Sequence, residues 1–187
     1  MVRSFDGTPV DAQWLDDVCA EALRAPTAGN AAGVRMHTVS ANDVASLFKA
    51  ATDEEWRASA RRAPGLARAG GAVLVTCRVS DYLERYAEPD KSSSGLSERD
   101  AWLVPYWYTD AAMATMTLLL LLEESDWHAT LWGNFRHDAR VLAWAGVSGE
   151  ELFATVLIGH GDGGDVASAS LARDVVARRQ RVRRVDP

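Results

Sequence analysis

Residues 25–33 read Ala-Pro-Thr-Ala-Gly-Asn-Ala-Ala-Gly, a stretch in which small residues surround a single side-chain amide, Asn30. An amide carries both donors and an acceptor, and glycine lets a backbone pass close to whatever it touches. Such a loop can recognise a ligand edge through Asn30. Taken locally, it is also a helix-stopping turn whose Asn bonds its own backbone. Other chemistries find less support. The four histidines, His37, His128, His137 and His160, are scattered, and no Cys or His pair has metal-ligand spacing, so no metal is expected. The "GHGDGG" run at Gly159 has no nucleophile, and neither G-x-S-x-G nor a P-loop lysine occurs. Cys19 lies on an apolar helical stripe, the setting of an inert thiol.

The elements that must position these residues follow from hydrophobic period. Val10, Trp14, Leu15, Val18, Cys19, Ala22 and Leu23 recur at helical spacing, with Asp11 placed to cap. Pro26 ends that helix, and "VRMHTVS" from Val34 alternates as a strand does. Helices are expected over about residues 42–51, 53–62 and 136–145, and near-continuous apolar strands at "GAVLVTCRV" and "LFATVLIGHG", the first of them central. "WHATLW" reads as a short extended segment. Residues 80–102 mix charge, serine and turn formers and read as a surface excursion. Pro105 opens a long helix, "YWYTDAAMATMTLLLLLEE", apolar nearly all round, which calls for burial on every side. The set predicts an α+β fold, a sheet sandwiched by helices.

With 187 residues, 48% of them hydrophobic, one folded domain is expected over the whole chain, with a basic arm at about 170–187. A formal charge of −6 opposes affinity for nucleic acid or an anionic membrane. No apolar run reaches the ~20 residues of a membrane span. Two cysteines in apolar runs and an N-terminus without an apolar core predict a reducing, cytoplasmic setting.

In this order, "RSFDGTPVDAQWLDDVCAEALRAPTAGN", the "WYTDAAMATMTLLLLLEE" helix, "LWGNF", "LAWAGVSGEELFATVLIGHG" and an Arg-rich tail resemble the nitroreductase-like flavoproteins, whose first helix leads into "A-P-S-x-x-N-x-Q-P". "RYAEPDK", "AW" and "PYW" further resemble an actinobacterial-looking branch of them. The resemblance implies a mostly antiparallel sheet, a long central helix at a homodimer interface, and FMN with NADH or NADPH as electron donor. It implies flavin contacts from Arg3, Ser4, Pro26, Thr27, Ala28 and Asn30, backbone N–H groups at Leu131, Trp132 and Gly133, and a phosphate grip from Arg181 and Arg183, with Arg184 a rival. Arg3 would favour the reduced flavin's negative charge. No side chain acts as a catalytic acid or base. The excursion would be a lid whose Tyr82, Tyr86 and Trp102 stack on an aromatic substrate. The implied activity is NAD(P)H-dependent reduction of a nitroaromatic or quinone-type acceptor by ping-pong hydride transfer. The alternatives are a non-catalytic FMN holder and a flavin-free scaffold. Two departures stand out: the family's Gln-Pro after Asn30 reads Ala32-Gly33 here, and the upstream "R-x-S" is absent from the sequence.

Overall fold

A computed structural model describes residues 1–133, 136–165, 167, 168, 182 and 183. The expected first helix is α1 (Ala12–Ala22); its N-cap Asp11 accepts the Trp14 N–H at 2.8 Å, satisfying one of the donors a helix start leaves open. The stretch after it makes one turn of 3-10 helix, Ala28–Asn30, and enters β1 (Val34–Ser40). Ser40 leads directly into α2 (Ala41–Ala50), followed by two short helices, α3 (Glu54–Ser59) and α4 (Ala63–Leu66). The single charged helix expected over 53–62 is thus shorter and ends at Ser59, and α4 starts anew with Pro64 in its first turn, where proline costs no hydrogen bond.

The apolar run at Gly71 is β2 (Gly71–Cys77), buried at every residue. It leads through Arg78 to α5 (Val79–Ala87), and α6 (Tyr106–Glu124) follows Pro105, as the sequence predicts. β3 (His128–Trp132), α7 (Asp138–Ala145) and β4 (Glu151–Gly159) complete the described elements. The strands form one antiparallel sheet in the order β1-β2-β4-β3. β2 and β4 are central because their runs are apolar on both faces, and only a two-sided covering keeps both dry.

One face of the sheet packs α1 and α6 through Leu15, Cys19, Ala111, Leu118 and Leu122; the other packs α2, α4 and α7 through Val44, Leu47, Phe48, Leu66 and Val141. The N-terminal segment straps the end of the sheet. Phe5 is fully buried and bridges Gly161, and the Val2 and Asp6 N–H groups donate to the Ala129 and His160 carbonyls at 3.2 and 3.0 Å.

The excursion differs from its expectation. Residues 79–87 are helical because Val79, Tyr82, Leu83 and Tyr86 recur at three- and four-residue spacing, and that apolar stripe buries against the core. Irregular chain begins after Ala87, with short turns at Ser92–Ser94 and Arg99–Ala101. The C-terminal arm lies outside the described residues, apart from Val182 and Arg183, which are exposed.

Candidate functional site

The loop after α1 is held from two sides. The Ala28 N–H donates to Asp110 Oδ2 on α6 at 2.8 Å, and the Tyr82 hydroxyl on α5 donates to the same oxygen at 2.9 Å. Arg85 Nε donates to the Gly29 carbonyl at 2.8 Å. The backbone is left-handed at Gly29, Asn30 and Ala32, with φ of 61°, 58° and 50°. Such angles suit glycine and are tolerated by asparagine; at Ala32 they need outside support, and the Ala32 carbonyl accepts from Arg35 at 2.5 Å. What remains outward of this clamp is a cavity of about 480 Å³ bordered by Pro26, Thr27 and Asn30, with Arg24, Arg35 and Ala114 of α6 around them.

The small residues of the loop have a structural cause that sequence reasoning missed. A Cβ on Gly29 would lie 2.7 Å from Tyr86 Cε2, and one on Gly33 would lie 2.3 Å from Tyr82 Cε2. Two tyrosines of α5 therefore occupy the space beside the loop backbone. Tyr82 is fully buried and Trp102 is 8% exposed, so neither presents a ring face for substrate stacking. Trp102 donates its indole N–H to the Leu96 carbonyl at 2.8 Å and meets Tyr82, Tyr86 and Trp107 edge-on. Tyr82 is a core residue because an amphipathic α5 turns it inward, and Trp102, which follows the Arg99–Ala101 turn, packs down onto the same rings; only Tyr86, partly exposed, keeps some open surface.

Arg3 and Ser4 lie near the start of β3, and Leu131–Gly133 at its far end, both away from the loop. The Arg3 backbone N–H donates to Asp165 at 3.3 Å, and the Ser4 hydroxyl donates to Asp162 at 2.9 Å. The Gly164 N–H, with Ser4 and Arg68, holds the Asp162 carboxyl below the usual range. Leu131 and Trp132 end β3, and Trp132 stacks on Phe48 with ring centroids 5.3 Å apart. Trp132 and Gly133 line a second cavity, of about 370 Å³, with Asp53, Trp56, Arg136 and His137. His137 Nε2 lies 2.9 Å from Asp53, and this contact, aided by Arg140, lowers the Asp53 pKa. Arg183 is exposed, and Arg181 lies outside the described residues.

A third polar group, at the Glu150 end of the sheet, resembles a catalytic relay and is not one. Thr76 and Glu150 both meet the same ring nitrogen, His37 Nε2, at 3.1 and 2.8 Å, and Thr76 is fully buried. A relay needs the base to use its two nitrogens separately.

The sequence matches the nitroreductase family over residues 1–160. The chain belongs to that family. No curated protein matches it in sequence. Among solved structures, the nitroreductase CinD from Lactococcus lactis in complex with nicotinic acid superposes with a TM-score of 0.70 at 15% identity, covering 95% of each chain. The nitroreductase family protein from Streptococcus pneumoniae TIGR4 gives 0.72 at 14% identity, covering 98% of this chain and 94% of that one. A protein from Desulfovibrio desulfuricans solved in complex with FMN gives 0.66 at 16% identity, covering 100% and 92%. The α+β fold expected from the sequence is therefore the fold of this family. Membership carries an enzyme class, oxidoreductase, and a cofactor pair, FMN with NAD(P)H.

Within this nitroreductase-family chain the residues expected to meet flavin fall into two groups. The Pro26–Asn30 loop enters β1, while Arg3, Ser4 and Leu131–Gly133 lie along or beyond β3. β1 and β3 are opposite edges of the sheet. Three strand spacings, about 14 Å, separate them. A flavin fits the loop edge through the Thr27 hydroxyl and the Asn30 amide, which border one cavity; the Arg24 and Arg35 guanidinium groups beside them are paired with Glu21 and Asp81. At the β3 edge the Ser4 hydroxyl is committed to Asp162.

Proposed function

We propose that the protein is an FMN-dependent oxidoreductase that uses NAD(P)H to reduce an electron-poor organic acceptor of nitroaromatic or quinone type, working as a homodimer in the cytoplasm. The observation that carries this reading is that, in a nitroreductase-family chain, the residues proposed to bind the cofactor lie at two opposite sheet edges. Two copies unite the halves, the loop of one chain meeting Arg3 and Leu131–Gly133 of the other.

The interface proposed is α6. Its inner face buries Trp107, Ala111, Ala114, Leu118 and Leu122, while Tyr106, Met113, Met116 and Leu120 stand 46, 40, 53 and 58% exposed along the outer side. An exposed apolar stripe of this kind marks a partner surface, and Ala114, beside Met113, also lines the loop cavity. No helix among the described residues is long and apolar enough to cross a membrane, so lipid is not what the stripe meets by spanning it.

Bound FMN supplies two-electron chemistry between NAD(P)H and the acceptor, which visit one slot in turn. The chain's part is placement. Pro26, Thr27, Ala28 and Asn30 meet the ring edge, Leu131–Gly133 offer backbone N–H groups, and Arg3 adds positive charge where the reduced ring carries negative charge. Arg181 and Arg183 hold the phosphate. CinD, of the same fold, has been solved with nicotinic acid and with chloramphenicol, and the second is a nitroaromatic, of the class proposed here.

A second reading, an FMN holder without turnover, draws on the excursion being tied down by Arg85 to Asp90 and by Arg99 to Glu151. One experiment separates the two. The absorbance of the purified protein, loaded with FMN, is recorded before and after anaerobic NADH and NADPH. Bleaching of the flavin bands, with recovery on adding a quinone or nitroaromatic, is expected; bands that persist with both nucleotides overturn the enzyme reading in favour of the holder.

A further inference from the structure

Asp110 sits about one turn into α6 with 1% of its surface exposed. A buried carboxylate is costly unless donors meet it. Both donors to Oδ2 come from other elements, the Ala28 N–H and the Tyr82 hydroxyl, at 2.8 and 2.9 Å. The nearby helix N-terminus adds a favourable field. An apolar side chain would serve the packing of α6 at least as well, so the carboxylate answers to the loop. α5 meets the same loop at three further points: the Tyr82 ring beside Gly33, the Tyr86 ring beside Gly29, and Arg85 on the Gly29 carbonyl. The backbone is held at residues 28, 29 and 33, while Thr27 and Asn30 are left to border the cavity.

We infer that Asp110 is a positioning residue: through the Ala28 amide, and with Tyr82 and Arg85, it sets the loop conformation that presents Thr27 and Asn30 to the cofactor. This rests on the flavin reading above and adds to it which buried residues prepare the site. Asp110 touches neither cofactor nor substrate in this arrangement and acts through the loop. Arg85 extends the same clamp outward, because its guanidinium also binds Asp90 at 2.7 Å through both oxygens, joining the loop to the segment that follows α5.

The test compares D110L, which removes the shared acceptor while keeping the branching at Cγ in a larger side chain, with D110N, which keeps a carbonyl oxygen for the Ala28 N–H at nearly unchanged volume. Hydrogen–deuterium exchange is followed across residues 27–33 in flavin-free protein, and FMN affinity is measured separately by titration. D110L is expected to raise exchange at the Ala28 amide by about tenfold or more and to weaken FMN by a similar factor, the scale of a lost hydrogen bond to a charged group. D110N is expected to recover most of both, which a general loss of packing would not allow. Unchanged exchange in D110L overturns the proposal, and so does a loosened loop with unaltered FMN affinity. If D110L does not fold, Y82F replaces it: faster exchange at Ala28 with β2 still protected supports the clamp, and exchange equal to wild type overturns it. A wild-type protein that takes up no FMN defeats the flavin reading and the cofactor half of this proposal together, while the exchange result still decides the clamp.

Discussion

At Gly33 a single added carbon would sit 2.3 Å from Tyr82 Cε2 and 2.9 Å from the Arg78 carbonyl. Neither neighbour can yield cheaply: Tyr82 is locked by Asp110, and the Arg78 N–H pairs with the Gly33 carbonyl at 2.8 Å. Overpacking of this kind costs about 1–3 kcal/mol. Gly33→Ala is therefore expected to lower stability by that amount in urea unfolding, and a change below about 0.5 kcal/mol would mean that the loop yields freely. The same contact accounts for the missing Pro of the family motif, since a proline ring at this position would occupy the space of the Tyr82 ring. Asn30 as the distinctive amide was legible in the sequence. That Gly29 and Gly33 make room for tyrosines from α5 was not, because nothing local shows that residues some fifty positions apart share a surface. The buried thiols were also legible: burial first, and nearby carboxylates after it, push Cys19 and Cys77 up to about 12, so neither is a thiolate at neutral pH.

Among the elements, α1, β1, β2, β4 and α6 were readable because each shows a strong period or a continuous apolar run bounded by Pro, Gly or a capping Asp. α5 was not, because its charged face resembles the irregular chain that follows it. That chain is tied at its far end by Arg99, which binds both oxygens of Glu151 at 2.5 and 3.1 Å, with Tyr108 as a further donor. Arg99 first, and Tyr108 after it, hold the Glu151 carboxyl below the usual range against the opposing effect of burial. A carboxyl depressed in the folded state contributes stability that is present above its unfolded value of about 4.3 and is lost as pH falls through the folded value. Both partners are partly exposed, with side chains 50% and 34% accessible, which limits the contribution to about 1 kcal/mol or less. Glu151→Gln is expected to be slightly less stable at pH 7 and to lose less between about pH 4.5 and pH 3 than the wild type. Parallel Tm-against-pH curves for the two would contradict this pairing.

For the molecule as a whole, the exposed stripe on α6 and the division of the site between sheet edges belong together in the proposed dimer. Placing a charge in the middle of the stripe, as in Met116→Asp with Leu120→Asp, is expected to leave the fold intact, since both positions are exposed. It is expected to shift sedimentation from dimer to monomer and to weaken FMN retention by about tenfold or more, the loss of one partner's contacts. A double variant that stays dimeric, or a wild type that is monomeric at micromolar concentration, would remove α6 as the interface. The near all-round apolarity of this helix was plain in the sequence. Which side faces its own core and which side faces outward depends on the angle at which the helix lies on β2.

The sequence by itself determined the order and kind of most elements, the family, and the loop that carries Asn30, because these depend on local period, turn chemistry and motif order. Only the tertiary structure decided that Tyr82 and Trp102 are core, that Asp110 holds the loop through Ala28, and that the Pro26–Asn30 loop and Leu131–Gly133 stand at opposite edges of the sheet. Each of those depends on which distant segments become neighbours, and neighbours across a fold are chosen by the joint packing of all its elements.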